Sequence, residues 1–350
     1  MARRRGAAHE TAGNVQSERK KVQVSEEYQK VSEEPLSAKQ QQEKRTVALK
    51  WKILLLVIFL PPFLNYASLQ REEQELRPKD AEMIDIGLGQ KISLICKGQG
   101  QPVVMLDAPT GMSSDIWHRV QEKVSQSTKV CAYDRAGLGF SRRALQNETI
   151  GMEKVWRLST IGREVSDLVL INPIPEDIFE DEMWERYWYT RLLPSLQIMQ
   201  LAAATGVSRL LLILRVLEPS FGGDIMSGEM LQRQKYLLSN PAHQSSAVDE
   251  HYFMNESMSQ VREISKFKLL SSRTSLSAII GDSFDDLVPA HLNQVFADLQ
   301  RKCLKRVYPQ AKLIHIQGAD RYMISKKASW VSKHLLELVS KRQTKHAIRQ

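Results

Sequence analysis

Acyl-transfer chemistry needs a hydroxyl or thiol nucleophile on a strained turn, a base within hydrogen-bond reach and an acid to orient that base. The usual carrier of such a serine is a Gly-x-Ser-x-Gly pentapeptide between a strand and a helix. No such pentapeptide occurs in the 350 residues. Ser220, in Glu218-Pro-Ser-Phe-Gly-Gly-Asp224, has glycines after it and none before. Ser283 follows Gly281-Asp282 and sits in a loop context. Both read as loop serines. His315 alternates with apolar neighbours on a strand and reads as a core histidine, while His118, His243, His251 and His291 lack the i, i+4 spacing of metal ligands. Cys96, Cys131 and Cys303 are too far apart for a zinc site, and their number is compatible with one disulfide. The expectation is therefore no metal and no cofactor.

The elements around these residues are legible. Val103–Asp107 is a continuous apolar run suited to a strand buried on both faces, and Lys129–Tyr133 reads as the next buried strand. Ile92–Lys97 reads as a further short strand. Ile116, Trp117, Val120 and Val124 form one helical stripe. Strand, helix, strand with buried runs argues for a mostly parallel sheet with crossover helices on both faces. Residues from Glu176 to about Lys266 read as mostly helical.

The order of these elements resembles the α/β-hydrolase superfamily. The resemblance rests on the strand from Val103, the loop Ala108-Pro-Thr-Gly-Met112, the helix with Trp117, and the run Tyr133-Asp134-Arg135-Ala136-Gly137-Leu138-Gly139-Phe140-Ser141. It covers about residues 84–341, with a helical cap at about 174–266, and implies further strands at Val165–Ile171, Ser275–Gly281 and Lys312–Ile316. It implies that Asp134, Arg135, Gly137, Gly139 and Ser141 build a structural turn, and that Gly111 and Met112 are the remnant of an oxyanion loop. The family's acid falls on Asp285, four residues before Pro289. Its histidine position falls on Arg321, whose guanidinium stays protonated and cannot act as a general base. Between the Asp-Arg-x-Gly turn and Glu164 stand 22 residues, 142–163. A strand, the elbow and two helices need about 40 at average lengths. One strand-helix unit is thus expected to be missing. The resemblance implies a site without nucleophile or base, acting by binding a protein or a lipid-like ligand; the alternative is an active serine hydrolase with an unrecognised nucleophile.

Charge and hydropathy place the domain. The net charge of +9 is partly an N-terminal matter, and no basic cluster is interleaved with aromatics, so nucleic acid is not an expected partner. Residues 1–48 lack apolar periodicity and read as a disordered tail. The apolar run Ile53–Leu64, extended over 49–69, reaches the length of a bilayer span and reads as an uncleaved signal-anchor. A cleaved signal peptide and a buried core helix are its rivals. Residues 70–83 read as a linker and 342–350 as a basic tail. Lys44, Arg45, Lys50 and Lys52 before the run predict a cytosolic N-terminus. The domain is then luminal or extracellular, in the endoplasmic reticulum or another secretory-pathway membrane. The sequons Asn147-Glu-Thr149 and Asn255-Glu-Ser257 lie on that side as candidate glycosylation sites.

Overall fold

The computed structural model describes residues 38–87, 90–143, 165–219, 228–267 and 273–348. The chain divides into two units, 1–59 and 60–350. Helix α1, Ala38–Leu76, runs through Pro61 and Pro62. One stretch of it is long and apolar enough to cross a membrane. In the first unit the described side chains from 41 to 59 are all exposed.

The strands of the second unit form two sheets among the described residues. The first has the order β1-β2-β4-β3: Ala81–Asp85, Lys91–Lys97, Val130–Tyr133 and Val104–Asp107. β1 and β4 run antiparallel to β2, while β3 and β4 are parallel, with Leu106 opposite Ala132. The second sheet is β5-β6-β7: Asp167–Ile171, Ser275–Ile280 and Lys312–His315, all parallel. β4 and β6, the inner strands of the parallel pairs, are buried along almost their whole length. β3, expected to be covered on both faces, is covered on one: Leu106 faces the core and Met105 is exposed among the described residues. Cys96 and Cys131, opposite each other on β2 and β4, form a disulfide; Cys303 is free and buried.

β3 ends the first sheet and β5 ends the second. One core nevertheless serves both. Helices α2, His118–Val124, and α11, Ala328–Ala347, lie on a single face with Leu106 of β3, Val169 and Ile171 of β5 and Ile279 of β6. Burying each such side chain stabilises by about 1.5–3 kcal/mol. On the opposite face, Leu304 of α9, Ala290–Val307, packs on Ala278 and Ile280. Side chains of β6 alternate between the two faces, as the strand period requires. Two neighbours on α11 then hold both sheets by polar bonds. Arg342 donates to both carboxylate oxygens of Asp167 at 2.7 and 2.9 Å and to the Ser166 carbonyl at 2.7 Å. Gln343 donates to the carbonyls of Gln101 and Ser127 at 3.1 and 3.0 Å.

The cap region is helical: α3, Glu182–Tyr187; a π turn, Trp188–Leu192; α4, Leu193–Ala204; α5, Val207–Ile213; α6, Gly228–Ser239; α7, Pro241–Tyr252; and α8, Met254–Phe267. A short turn, α10, Met323–Lys326, precedes α11.

Several boundaries differ from the expectation. Residues 38–48 and 70–76 are helical rather than tail and linker, because a helix already nucleated by the apolar run extends cheaply through the good helix formers Gln, Glu and Lys. Residues 342–347 belong to α11 rather than to a tail, held by the clamp just described. His315 is exposed on the edge strand β7, its Nε2 2.6 Å from Asp282 Oδ1, and is no core residue. The remainder of the N-terminal tail, Ser220, Asn147 and most of 142–163 lie outside the described residues.

Candidate functional site

The turn after β4 is built from its own polar atoms. The buried Asp134 carboxylate accepts from Ser114 N at 2.7 Å and from Phe140 N at 3.0 Å. Burial pushes its carboxyl up, against those hydrogen bonds. Ser141 Oγ donates to the Asp134 carbonyl at 2.7 Å and accepts from Ser93 N at 2.8 Å. Gly139 has φ +55°, and a Cβ there would lie 2.1 Å from Asp134 Oδ2. Gly137, at φ +78°, approaches Ser246 of α7 so closely that a Cβ would meet its hydroxyl at 2.1 Å. The turn is thus fixed to the cap as well as to β4.

Arg135 carries that attachment further. Its guanidinium grips Glu250 of α7 with two bonds, Nε to Oε1 at 2.7 Å and Nη2 to Oε2 at 2.9 Å. It also donates to Asp107 Oδ1 at 2.8 Å, to the Pro109 carbonyl at 2.9 Å and to the Ala108 carbonyl. Burial works against the guanidinium charge, but Glu250 and Asp107 outweigh it and raise its pKa. Burial likewise opposes the Glu250 charge, and Arg135 overcomes it, drawing the carboxyl below its ordinary range. A charged pair held this way acts as a strut between α7 and the loop after β3.

That strut occupies the loop after β3, which holds Gly111 and Met112. Gly111 N donates to Glu250 Oε2 at 2.7 Å, and Met112 N donates to the Pro109 carbonyl at 3.0 Å. Both donors that the sequence singled out are therefore satisfied within the fold. Gly111 takes φ +73°, and a Cβ there would lie 2.8 Å from His251 Cε1. The neighbouring residues Glu250 and His251 are what sequence reading missed. His251 is buried against the Trp188 ring, with centroids 5.6 Å apart. Its Nδ1 donates to the Ala247 carbonyl at 2.7 Å, one turn back on α7. Burial pulls its pKa to about 4, so the imidazole is neutral at pH 7. His243 is likewise buried and drawn down to about 4, and its Nδ1 accepts from Gly139 N at 3.1 Å.

Beyond Trp188 stands the second group. The Trp188 and Phe284 rings are 6.2 Å apart, and the Arg321 guanidinium lies over Phe284 at 5.4 Å and over Tyr322 at 4.9 Å. Arg321 Nε is 3.1 Å from Asp285 Oδ2, an ion pair without hydrogen-bond alignment. Arg321 Nη2 donates to the Tyr322 hydroxyl at 2.9 Å, and Asp285 Oδ1 caps Leu287 N at 3.0 Å. The charge of Arg321 is felt at His251, where it further disfavours protonation. The structure thus strings Gly111, His251, Trp188, Phe284, Arg321 and Asp285 into one chain of neighbours.

Two serines need comment. Ser283 N points to the Ala319 carbonyl at 3.4 Å, and its own carbonyl accepts from Asn172 Nδ2 at 3.2 Å. Ser277 Oγ is 2.8 Å from His334 Nε2, a contact between residues 57 positions apart. Ser277 and His334 are buried, at 4% and 5% exposure, which denies a substrate access, while Ser283 is half-buried. A shallow groove of about 670 Å³ between α2 and α11, lined by Lys123, Ser329 and Lys333 among others, contains none of the site residues above. Asn255 lies in the first turn of α8, half-buried and hydrogen-bonded to Tyr189. Among the described residues no group of three or more His, Cys, Asp or Glu is placed to hold a metal ion.

No family profile and no curated protein sequence matches the chain. Solved structures do. The Cif epoxide hydrolase from Acinetobacter nosocomialis superposes with a TM-score of 0.53 at 15% identity, over 79% of this chain and 96% of its own. The epoxide hydrolase VrEH1 from Vigna radiata gives 0.54 at 14% identity, over 75% of this chain and 99% of its own. Identities this low speak for architecture and leave chemistry aside. Together with the Tyr133–Ser141 turn, the strand order and the helical cap, they establish that this chain has the α/β-hydrolase fold.

Proposed function

We propose that this protein is a single-pass membrane protein whose α/β-hydrolase-like domain is non-catalytic and acts by binding a protein or a lipid-like ligand. The observation that carries the reading is the Asp285–Arg321 pair: the acid that would orient a base faces a guanidinium instead. A guanidinium takes up no proton from a hydroxyl at neutral pH. The oxyanion-loop donor Gly111 N is spent on Glu250, which supports the same conclusion. The test is labelling of the full chain in membranes with a fluorophosphonate probe, together with incubation with an aryl epoxide, the substrate class suggested by the names of the similar structures. The reading expects no labelling and no diol. Labelling that vanishes on Ser220→Ala, Ser277→Ala or Ser283→Ala would establish the alternative, an active serine hydrolase.

The membrane reading rests on the apolar stretch of α1 and its basic N-terminal flank. The Cys96–Cys131 disulfide supports a luminal or extracellular domain, since such bonds persist in oxidising compartments. Of the two sequons, the half-buried Asn255 is the poorer acceptor, and glycan on Asn147 is the expectation. Protease added to sealed microsomes should spare the domain; digestion of residues 84–341 would reverse the orientation.

A further inference from the structure

The cap carries an apolar surface that no other part of the second unit covers among the described residues. α4 and α5 meet at 86°, and with α3 they are apolar enough to pass for a broken or re-entrant membrane segment. Their apolar side chains are not all turned inward. Ile198 and Leu201 on α4, Leu210 and Ile213 on α5, and Leu214 and Val216 just beyond it are exposed, the last two at 69% and 71%. A water-facing helix pair of a soluble domain would show polar residues there. Six exposed apolar side chains on and just beyond two joined helices mark a contact with another apolar phase.

The occupant is indicated by what holds the corner in place. Gly206, at the bend, has φ +75° and lies so close to α1 that a Cβ would meet the Pro61 carbonyl at 2.5 Å. Asn65 Nδ2 donates to the Ala203 carbonyl at 2.9 Å, and Arg209 donates to Asn65 Oδ1 and to both oxygens of Glu72, each at 2.7 Å. The corner is therefore bolted to the C-terminal end of the apolar run of α1, where Leu60, Phe63, Leu64 and Tyr66 are themselves exposed. Arg215, exposed between Leu214 and Val216, sits as a cation at headgroup depth would, with apolar neighbours on either side.

We infer that the α4–α5 corner is a membrane-docking surface that enters the interface of the lipid bilayer beside the anchor, so that the cap rests on the membrane. The inference builds on the reading of α1 as a membrane span, and the experiment separates the two. Full-length protein in a Cys303→Ser background, its Cys96–Cys131 bond left oxidised, is reconstituted into phosphatidylcholine vesicles with or without doxyl-labelled phosphatidylcholine. An NBD fluorophore is attached singly through Leu214→Cys, Ile198→Cys, Ile58→Cys or Lys345→Cys. Lys345 is exposed near the C-terminus of α11, close to Gln343 and the N-terminal ends of the strands, at the end of the sheets away from the cap. The expected result is loss of fluorescence to the doxyl lipid at 214, 198 and 58, with none at 345. Loss at 58 without loss at 214 and 198 overturns the docking surface and leaves the anchor standing. No loss at 58 overturns the anchor, and the inference with it. Equal loss at 345 overturns the inference by showing that the domain has no preferred membrane face.

Discussion

Arg321 Nε lies 3.1 Å from Asp285 Oδ2, with its guanidinium spread over the rings of Phe284 and Tyr322. The pair explains how the Asp285 carboxylate can stay buried: a cation neutralises it, and Leu287 N caps its other oxygen. The same economy appears at Gly111, whose N–H serves Glu250. The polar groups of this site are thus satisfied by one another.

The Arg135–Glu250 strut should be among the costliest contacts to break. Glu250→Gln leaves a buried guanidinium with Asp107 as its only remaining carboxylate partner, and should destabilise the domain by about 3 kcal/mol. Asp249→Asn, one residue away, breaks an exposed pair with Arg143 and should cost under about 1 kcal/mol. Urea melts of both variants check the contrast; equal effects would remove the strut from the account.

The clamp on α11 gives a second test. Arg342→Ala removes three bonds to β5 and its flank, and should cost about 1–3 kcal/mol after allowance for partial exposure. Gln343→Ala removes the matching pair of bonds to the other sheet and should cost about 1 kcal/mol. Hydrogen exchange in Arg342→Ala should speed up most at β5, whose Asp167 the guanidinium holds. Unchanged protection there would mean that the shared apolar core alone holds the sheets.

Acid should destabilise the fold. Burial holds His243 and His251 at about 4 against an ordinary 6.5. Between those values the unfolded chain binds protons that the folded chain refuses, so stability falls as pH drops from 6.5 towards 4. Asp115 acts in the opposite sense: burial raises it from 3.8 to about 6, although Arg233 lies 3.0 Å away, so its contribution is present below 3.8 and lost as pH rises through 6. His118 and His334, also lowered by burial, act with the two histidines, and the raised Asp134 and Glu176 act with Asp115, so that four histidines stand against three carboxyls. Thermal melts should show a lower midpoint at pH 5 than at pH 7, and a steeper fall for Asp115→Asn. A midpoint that rises towards pH 5 would contradict the burial of the two imidazoles.

Much of this architecture is written in local pattern. Val130–Ala132 and Ala278–Ile280 are continuous apolar runs because both of their faces are covered, and such runs need no partner to be recognised, whereas the equally apolar Val103–Leu106 leaves Met105 exposed on one face. The Tyr133–Ser141 turn is equally local, its glycines fixed by backbone angles and by the Asp134 carboxylate. What escaped was long-range. Nothing around Glu250 or His251 announces that α7 folds over Gly111, 139 residues earlier in the chain for the Glu250 bond. His315 alternated like a core residue yet lies on an edge strand, because period 2 marks a face without saying whether that face is covered. The helical limits at Ala38 and Ala347 were missed because polar helix ends carry no periodicity of their own.

The central claim is that the site lacks a nucleophile as well as a base, and restoring the base tests it most directly. Arg321→His places an imidazole beside Asp285, where a positioned base contributes about 10²- to 10⁴-fold if a hydroxyl stands within reach. The measurement is pre-steady-state release of nitrophenol from an activated ester by the purified full chain, wild type and Arg321→His side by side. The account predicts that both remain at the buffer rate with no burst. A burst equal to the protein concentration in the variant would reveal a nucleophile already in place, and the non-catalytic reading would fail.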